Sequence, residues 1–305
     1  MTMKKIFSYV AGAIMLLTPV ASGAQVLPFV AADYDAVSLG TAGANLANTG
    51  SMANAAFVNA AAIPFSSDKV DVSAGYAMWK PTGGNVLNLA GAFNSGQKFG
   101  AALGVVYGTN PAYNITSSSG TSRETFSPTE MQINAGFAWR LLSNVSFGAN
   151  VGYASNALSP DVTYSSVTAD VFAMAVISGV KVTAGLANLG GGVEAANGTK
   201  WSLPTSLALG AGYGMEFAEV HGVDLLLDAD YFFQGGVAAS VGAAYTFNKM
   251  ATVRAGYRYG GASVVPTYAS IGAGVKVAGV KLDLAYLIGA GTINNTLALS
   301  LGYSF

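Results

Sequence analysis

The last ten residues of the chain alternate strictly between two kinds of side chain. Leu297, Leu299, Leu301, Tyr303 and Phe305 share one parity, and the residues between them are Ala, Ser and Gly. A period of two places these sets on opposite faces of an extended β-strand. One face of the predicted strand is therefore apolar along its whole length, and the other is small and polar.

This alternation recurs from Lys69 to the end of the chain. Segments of about ten residues are separated by clusters of Gly, Asn, Ser and Pro, a pattern typical of a transmembrane β-barrel. We count about fourteen strands, an even number as such barrels require. They lie near 69–80, 84–93, 97–108, 129–141, 143–154, 165–177, 179–188, 203–215, 219–233, 235–247, 249–260, 265–277, 279–289 and 293–305.

The connections between these strands fall into two groups. Tight turns alternate with the longer connections, which include 109–128, 155–164 and 189–202. Outer-membrane barrels keep short turns on the periplasmic side and long loops outside. We therefore expect both termini of the mature chain to lie in the periplasm.

Composition favours lipid as the solvent of this barrel. Apolar residues make up 52% of the chain and charged residues only 10%, whereas about a quarter of a typical soluble domain is charged. After residue 24 no apolar run reaches the roughly 18 residues of a helical span. A closed antiparallel barrel in a bacterial outer membrane is the predicted fold class, all-β, and a soluble β-sandwich is the alternative.

The first 24 residues have the layout of a secretory signal. Lys4 and Lys5 precede the apolar run 6–20, and small residues lead to a cleavage site after Ala24. A retained membrane helix is the alternative. Without those two lysines, 12 of the 14 basic residues remain against 15 acidic ones, a formal net charge of −3. This charge argues against nucleic acid as a partner.

Residues 25–68 differ from the rest of the chain. They are rich in Ala, Asn and Gly, show no sustained alternation, and contain a possible short helix at 53–63. A segment this apolar is expected to act as a hatch or plug inside the lumen, with a loose periplasmic tail as the alternative. The predicted organisation is a signal peptide at 1–24, a hatch at 25–68 and a barrel at 69–305.

Three short runs in this segment, 38–44, 46–48 and 55–63, resemble the N-terminal motif of the PorV/PorQ family, which belongs with the FadL-type transporters. The last run matches the family's Asn-Pro-Ala-Gly-Leu element, although Ala60 and Ala62 replace its Pro and Gly. The resemblance implies a fourteen-strand barrel with an N-terminal hatch. The hatch motif residues in this chain are Gly40, Gly43, Asn59, Ala61 and Ile63.

The resemblance implies one of two functions. PorV-like members assist type IX secretion or handle exported partner proteins, and FadL-like members pass hydrophobic small molecules through a gated channel. The expected partners are outer-membrane lipid and either secretion-system proteins or a hydrophobic ligand. Likeness to outer-membrane barrels in general also implies that the barrel-assembly machinery reads the terminal Phe305.

Catalytic and metal-binding residues are scarce in the sequence. His221 is the only histidine, and there is no cysteine, so imidazole and thiolate metal sites have too few ligands. The same histidine would have to serve any Ser-His-Asp arrangement, and it is expected to be a solvated turn residue. We therefore expect a noncatalytic protein without a metal or another cofactor.

Charged residues of like parity form a predicted lumen charge cluster on the ninth, eleventh and thirteenth strands. Long Arg side chains on the eleventh strand could cross the tenth strand, whose inward residues are small, to reach carboxylates on the ninth. The cluster is either a structural ladder of ion pairs or a site that anchors the hatch or binds substrate. Its members are Asp224, Asp228, Asp230, Arg254, Arg258, Lys281 and Asp283.

Overall fold

A computed structural model shows an antiparallel barrel of fourteen strands, closed by pairing of the first strand with the last. The structure describes residues 25–79, 83–96, 98–116, 120, 122–194, 198–261, 265–289 and 293–305. The predicted signal peptide, residues 1–24, lies outside the described residues.

The strands of the described chain are numbered in chain order. They are β1 (Val70–Trp79), β2 (Gly84–Asn94), β3 (Phe99–Thr109), β4 (Tyr113–Thr116), β5 (Ser122–Phe126), β6 (Thr129–Leu142), β7 (Val145–Ser159), β8 (Val162–Ile177), β9 (Val180–Gly190), β10 (Val193–Glu194), β11 (Lys200–Trp201), β12 (Ser206–Phe217), β13 (His221–Phe232), β14 (Gly236–Phe247), β15 (Ala251–Gly260), β16 (Tyr268–Val277), β17 (Val280–Gly289) and β18 (Thr296–Ser304). All except β4, β5, β10 and β11 form the barrel.

The fourteen-strand barrel predicted from the alternation is confirmed. Two of the predicted long connections carry small hairpins, β4–β5 within 109–128 and β10–β11 within 189–202. The predicted long connection 155–164 is wrong. Because β7 and β8 remain paired beyond the other strands, only a tight turn at Pro160 and Asp161 joins them.

The two faces of the strands also follow the alternation. On β18, Leu299 and Leu301 are 41% and 55% exposed on the outer surface, whereas Thr296 and Ser300 are 0% and 3% exposed. The outer surface of the barrel thus carries a continuous apolar coat, and the inner surface carries small and polar side chains. This arrangement is the one expected of a barrel in lipid.

Residues 25–68 lie inside the barrel and contain only short helices. These are one α-helix, Ala36–Gly40, and three 3₁₀ stretches, Pro28–Ala31, Ala53–Ala56 and Ala60–Phe65. The possible helix at 53–63 is broken because Asn59 is extended and caps the last stretch through its side chain, which accepts from Ala61 N at 2.9 Å. No helix among the described residues is long and apolar enough to cross a membrane.

The segment runs the length of the lumen. Val26 N donates to Ser202 O at 3.0 Å in the loop between β9 and β12, at the end of the barrel that carries the long loops. At the opposite, short-turn end, Lys69 N donates to Phe305 O at 2.6 Å. Gln25 and Phe305 therefore lie at opposite ends of the barrel, because the chain threads the lumen before β1 begins, and the periplasmic placement of the termini stays a prediction.

Candidate functional site

Glycines on the inner wall let the backbone of the segment lie directly against the strands. A Cβ atom at Gly242 would lie 2.7 Å from Thr41 Cβ, and one at Gly148 would overlap the backbone of Ala61. Glycine within a strand commonly marks such a close approach. The inward glycines that contact the segment include Gly100, Gly104, Gly136, Gly148, Gly210, Gly212, Gly242, Gly256 and Gly272.

Two wall carboxylates each bind a pair of consecutive backbone N–H groups of the segment. Asp228 Oδ2 on β13 accepts from the amides of residues 45 and 46 at 2.6 and 2.8 Å. Asp71 Oδ2 on β1 accepts from those of residues 52 and 53 at 3.0 and 3.3 Å, and its other oxygen pairs with Lys281. Each of these carboxyl oxygens satisfies two backbone donors at once, so the two side chains fix the segment at two turns.

Amide and hydroxyl groups of the wall bind carbonyl groups of the same segment. Asn134 Nδ2 on β6 donates to Ala56 O at 2.9 Å, and Ser146 Oγ on β7 donates to Ala61 O at 2.5 Å. These wall side chains are buried. The short 3₁₀ stretches therefore have their free carbonyl groups satisfied by the barrel, which explains how so irregular a backbone is tolerated in the lumen.

The two glycines of the predicted hatch motif meet β15 and β16. Gly40 O accepts from Ser270 Oγ at 3.1 Å. Gly43 has a φ of +78°, and the Arg258 guanidinium lies where its Cβ would be. Both the backbone conformation and the neighbouring arginine therefore require glycine at position 43.

The other motif residues contact the opposite wall. Asn59 Nδ2 donates to Leu46 O at 2.8 Å and to Thr183 Oγ1 at 3.1 Å, so one side chain ties two turns of the segment to β9. The side chain of Ile63 occupies the space above Gly100. The motif residues thus lie at contacts between the segment and the barrel.

The predicted charge cluster is divided among several contacts. Arg258 crosses β14 to Asp230 at 3.5 Å, as the spacing suggests, and also pairs with Asp33 of the segment at 3.3 Å. The expectation that Arg254 reaches the ninth barrel strand is wrong. It pairs instead with Asp283 on β17 at 2.7 Å, because Gly274 on the intervening β16 leaves room for both side chains.

Two functional carboxylates escaped the sequence reasoning. Asp33 lies in a segment without a periodic pattern, so no signal in the sequence points to Arg258. Asp71 has the inward parity of β1, and its pairing with Lys281 follows only from closure of the barrel between β1 and β18. Parity alone marks such residues as inward-facing but leaves their partners undetermined.

Burial shifts two carboxyls of the segment, Asp33 and Asp35, towards their protonated forms. Burial raises the pKa of Asp35 to about 6, helped by the negative charge of Asp283 and opposed by hydrogen bonds from Ser300 and Ser38. Burial also raises the pKa of Asp33, despite the Arg258 guanidinium beside it. Ionised carboxylates are therefore costly inside this lumen.

His221 is not the solvated turn residue that the sequence suggested. It begins β13 and stacks on Phe217 with ring centroids 5.0 Å apart, and its Nδ1 lies 2.7 Å from the Tyr245 hydroxyl. It lies four residues before the exposed Leu225 on the same strand, so both side chains point to the outer face. The ring therefore belongs to an aromatic group on the outer face near the short-turn end, because β12 extends to Phe217, beyond its predicted end at 215, and pairs that residue with His221.

The lumen has a different character at its two ends. At the short-turn end, a chamber of about 570 Å³ is lined by charged side chains that include Lys181, Arg254 and Lys281. At the long-loop end the interior is an apolar cluster. Its buried members include Val26, Leu27, Phe29, Val30, Val193, Leu203, Tyr268, Leu287 and Ile293.

Solved structures of bacterial transporters share this architecture. The toluene transporter TodX of Pseudomonas putida matches with a TM-score of 0.63 and 14% identity, over 89% of this chain and 98% of that one. The Ralstonia pickettii toluene transporter TbuX gives 0.61 and 12%, over 89% and 97%. A Pseudomonas aeruginosa FadL homologue gives 0.56 and 10%, over 93% and 100%.

The fold is FadL-like. The predicted place of the chain beside the FadL-type barrels is supported at the level of fold, and its membership of the PorV/PorQ family stays a prediction. No family model and no curated protein matches the sequence. At such low identity a shared fold does not transfer a function, which has to be argued from the lumen itself.

Proposed function

We propose that this chain is a noncatalytic outer-membrane channel for hydrophobic small molecules, closed by residues 25–68. The observation that carries the proposal is the apolar cluster at the long-loop end of a lumen filled by its own N-terminal segment. A hydrophobic molecule arriving from outside would meet Phe29 and Val30 of the segment and Leu203 of the loop between β11 and β12. Apolar side chains of this kind are the usual lining of a site for an apolar ligand, and such a site would open here when the segment moves.

The proposed orientation follows the loops. The long-loop end faces the exterior and the short-turn end, with Phe305, faces the periplasm. Proteins named as toluene transporters share the fold, which supports a small apolar molecule as cargo. Passage requires that part of the segment move, because backbone and side chains of residues 25–68 occupy the path.

Uptake of a defined hydrocarbon tests this proposal. Initial uptake of radiolabelled toluene should fall in cells that lack the gene and recover when the intact gene is supplied. Uptake of a hydrophilic sugar through other porins serves as the control and should not change. Equal toluene uptake with and without the protein would refute the channel function.

Assistance of type IX secretion is the other role that the motif resemblance supports. The residues behind it are the hatch motif Gly40, Gly43, Asn59, Ala61 and Ile63. Affinity purification of the protein from its native membrane separates the two roles. Recovery of translocon components or exported proteins in stoichiometric amounts would favour secretion, and recovery of the barrel with lipid alone would favour the channel.

A further inference from the structure

Three carboxylates and one guanidinium meet where the beginning of the segment contacts the inner face of the barrel wall. Arg258 on β15 pairs with Asp33 of the segment at 3.3 Å and with Asp230 on β13 at 3.5 Å. Asp228, one inward position away from Asp230, lines the same small cavity of about 80 Å³. With all three carboxyls ionised, the group would hold two uncompensated negative charges.

The group is buried. Arg258 and Asp228 are 5% and 6% exposed, and Asp33 and Asp230 are also largely shielded from solvent. Asp228 Oδ1 and Arg258 Nε have no hydrogen-bond partner in the described part of the chain. Neighbouring carboxylates in such a place do not all ionise, because like charges repel strongly where little water screens them.

Other ionisable groups do not balance this negative charge. Tyr268 on β16 is buried beside Arg258, and Asp170 on β8 lines the same cavity. Glu130 on β6 acts on the neighbouring Tyr34 and adds a further negative charge. The groups that face the cluster from the segment and from β6, β8, β13, β15 and β16 therefore include one cation, Arg258.

We propose that Asp33, Asp230 and Arg258 form a proton-operated latch, which holds residues 25–34 in the lumen while the cluster keeps a proton and loosens them when its carboxyls ionise. Asp230 and Arg258 are fixed in the barrel wall. Asp33 belongs to the segment, so it is the carboxylate that can move away from the repulsion. Deprotonation therefore drives this part of the segment out of its site.

The direction of the pH effect follows from linkage. Burial raises the pKa of Asp33 above its ordinary value of 3.8, so the docked state binds more protons than the released state. The stabilising contribution is complete below that ordinary value and is lost as the pH rises through the pKa of the docked carboxyl. An alkaline shift should therefore favour release.

Site-specific labelling can measure this release because the chain has no cysteine. The test compares Val30→Cys, buried in the docked segment, with Ala112→Cys in an exposed loop of the long-loop end. Dividing the labelling rate at position 30 by the rate at position 112 removes the intrinsic rise of thiol reactivity with pH. Ala31→Cys replaces the first variant if that protein does not show the heat-modifiable migration of a folded barrel.

The labelling ratio should increase as the pH is raised from about 5 to about 9, the range over which buried carboxyls ionise. Asp230→Asn, which removes one of the repelling carboxylates and leaves the Asp33 pair with Arg258 intact, should reduce the increase. Asp224→Asn, on the same face of β13 but in the short-turn chamber, should leave it unchanged. A ratio that does not vary with pH, or that responds equally to both substitutions, would overturn the latch.

The latch would regulate the proposed channel. Its biological role depends on that proposed function, but its pH response does not. The labelling ratio is measured on purified protein without any transported molecule. A failed latch would thus leave the uptake test of the channel untouched, and a protein without channel activity could still show the latch.

Discussion

The N-terminal segment consists of two parts that the barrel holds in different ways. Residues 25–34, the apolar limb, bury Val26, Leu27, Phe29 and Val30 in the apolar cluster. Residues 35–68, the clamped limb, press their backbone onto inward glycines and are bound by wall carboxylates and amides. Apolar packing is non-directional and can be replaced by another apolar molecule, whereas paired backbone bonds cannot.

This contrast assigns separate tasks to the two limbs. The clamped limb closes the lumen and should remain in place while molecules pass. The apolar limb occupies the space that a hydrophobic ligand would enter, and only this limb should exchange with ligand. The following predictions test the contrast from the largest expected effect to the smallest.

Filling one glycine on the wall should expel the clamped limb. In Gly148→Leu the new side chain overlaps the backbone of Ala61, an overpacking that costs about 1–3 kcal/mol or more. Single-channel conductance in planar bilayers should rise sharply while the barrel stays folded. Ala149→Leu, at the next and outward-facing position, is the matched control, and an equal rise in that variant would show that the faces are misassigned.

Substitutions at two adjacent positions on β18 should distinguish a loss of barrel stability from a loss of segment binding. Leu299→Arg places a charge in lipid and should lower the free energy of unfolding by roughly 2–4 kcal/mol near the midplane. Ser300 faces the lumen, where its Oγ donates to Asp35 and accepts from Ala36 N. Ser300→Arg should cost the barrel less but raise conductance, and equal losses of barrel stability in reversible unfolding would contradict the account.

Deprotonation of Asp35 should weaken the binding of the clamped limb to the barrel as the pH rises through about 6, the pKa of this carboxyl. Burial raises the pKa of this carboxyl to about 6, so its contribution is complete below its ordinary value of 3.8 and is lost above about 6. The difference is on the order of 3 kcal/mol, since each pKa unit corresponds to about 1.4 kcal/mol. Protection of the helix Ala36–Gly40 from hydrogen exchange should fall over this range, and Asp35→Asn should flatten the dependence.

Loss of the Asn59 side chain should have the smallest effect of the four. Asn59→Ala removes the bonds to Leu46 O and Thr183 and should destabilise the clamped limb by about 1–3 kcal/mol, the cost of leaving buried polar groups unpaired. Limited proteolysis should then cleave the segment faster, without loss of the folded barrel. A proteolytic cleavage rate equal to that of the unaltered protein would mean that Asn59 does not anchor the segment.

The barrel could be predicted from the sequence because strand alternation is a local property. The inner and outer faces of β18 follow from ten consecutive residues, and inward glycines such as Gly210 and Gly272 already indicate a close approach from within. The predicted strand ends were wrong where pairing with a neighbouring strand lengthens a strand, as at β7 and β8. Pairing with a neighbour, rather than local composition, decides where such strands end.

The contacts of the segment could not be predicted in the same way. Asp33 and Arg258 are 225 positions apart, and Asp35 and Ser300 are 265 apart. Residues 25–68 have no period that would fix which side chains face the wall, and their path depends on the closed barrel around them. The members of the charge cluster could therefore be predicted as a group. Their separate contacts with Asp33, Asp71 and the segment backbone could not.

Removal of the segment tests most directly whether it closes the lumen. The chain without residues 26–67, produced with residues 1–24, the predicted signal peptide, in place, should insert as a heat-modifiable barrel and conduct more than the full-length protein in planar bilayers. Small inward side chains would then leave a wide aqueous path. A truncated barrel that inserts normally and conducts no better than the full-length protein would contradict the account.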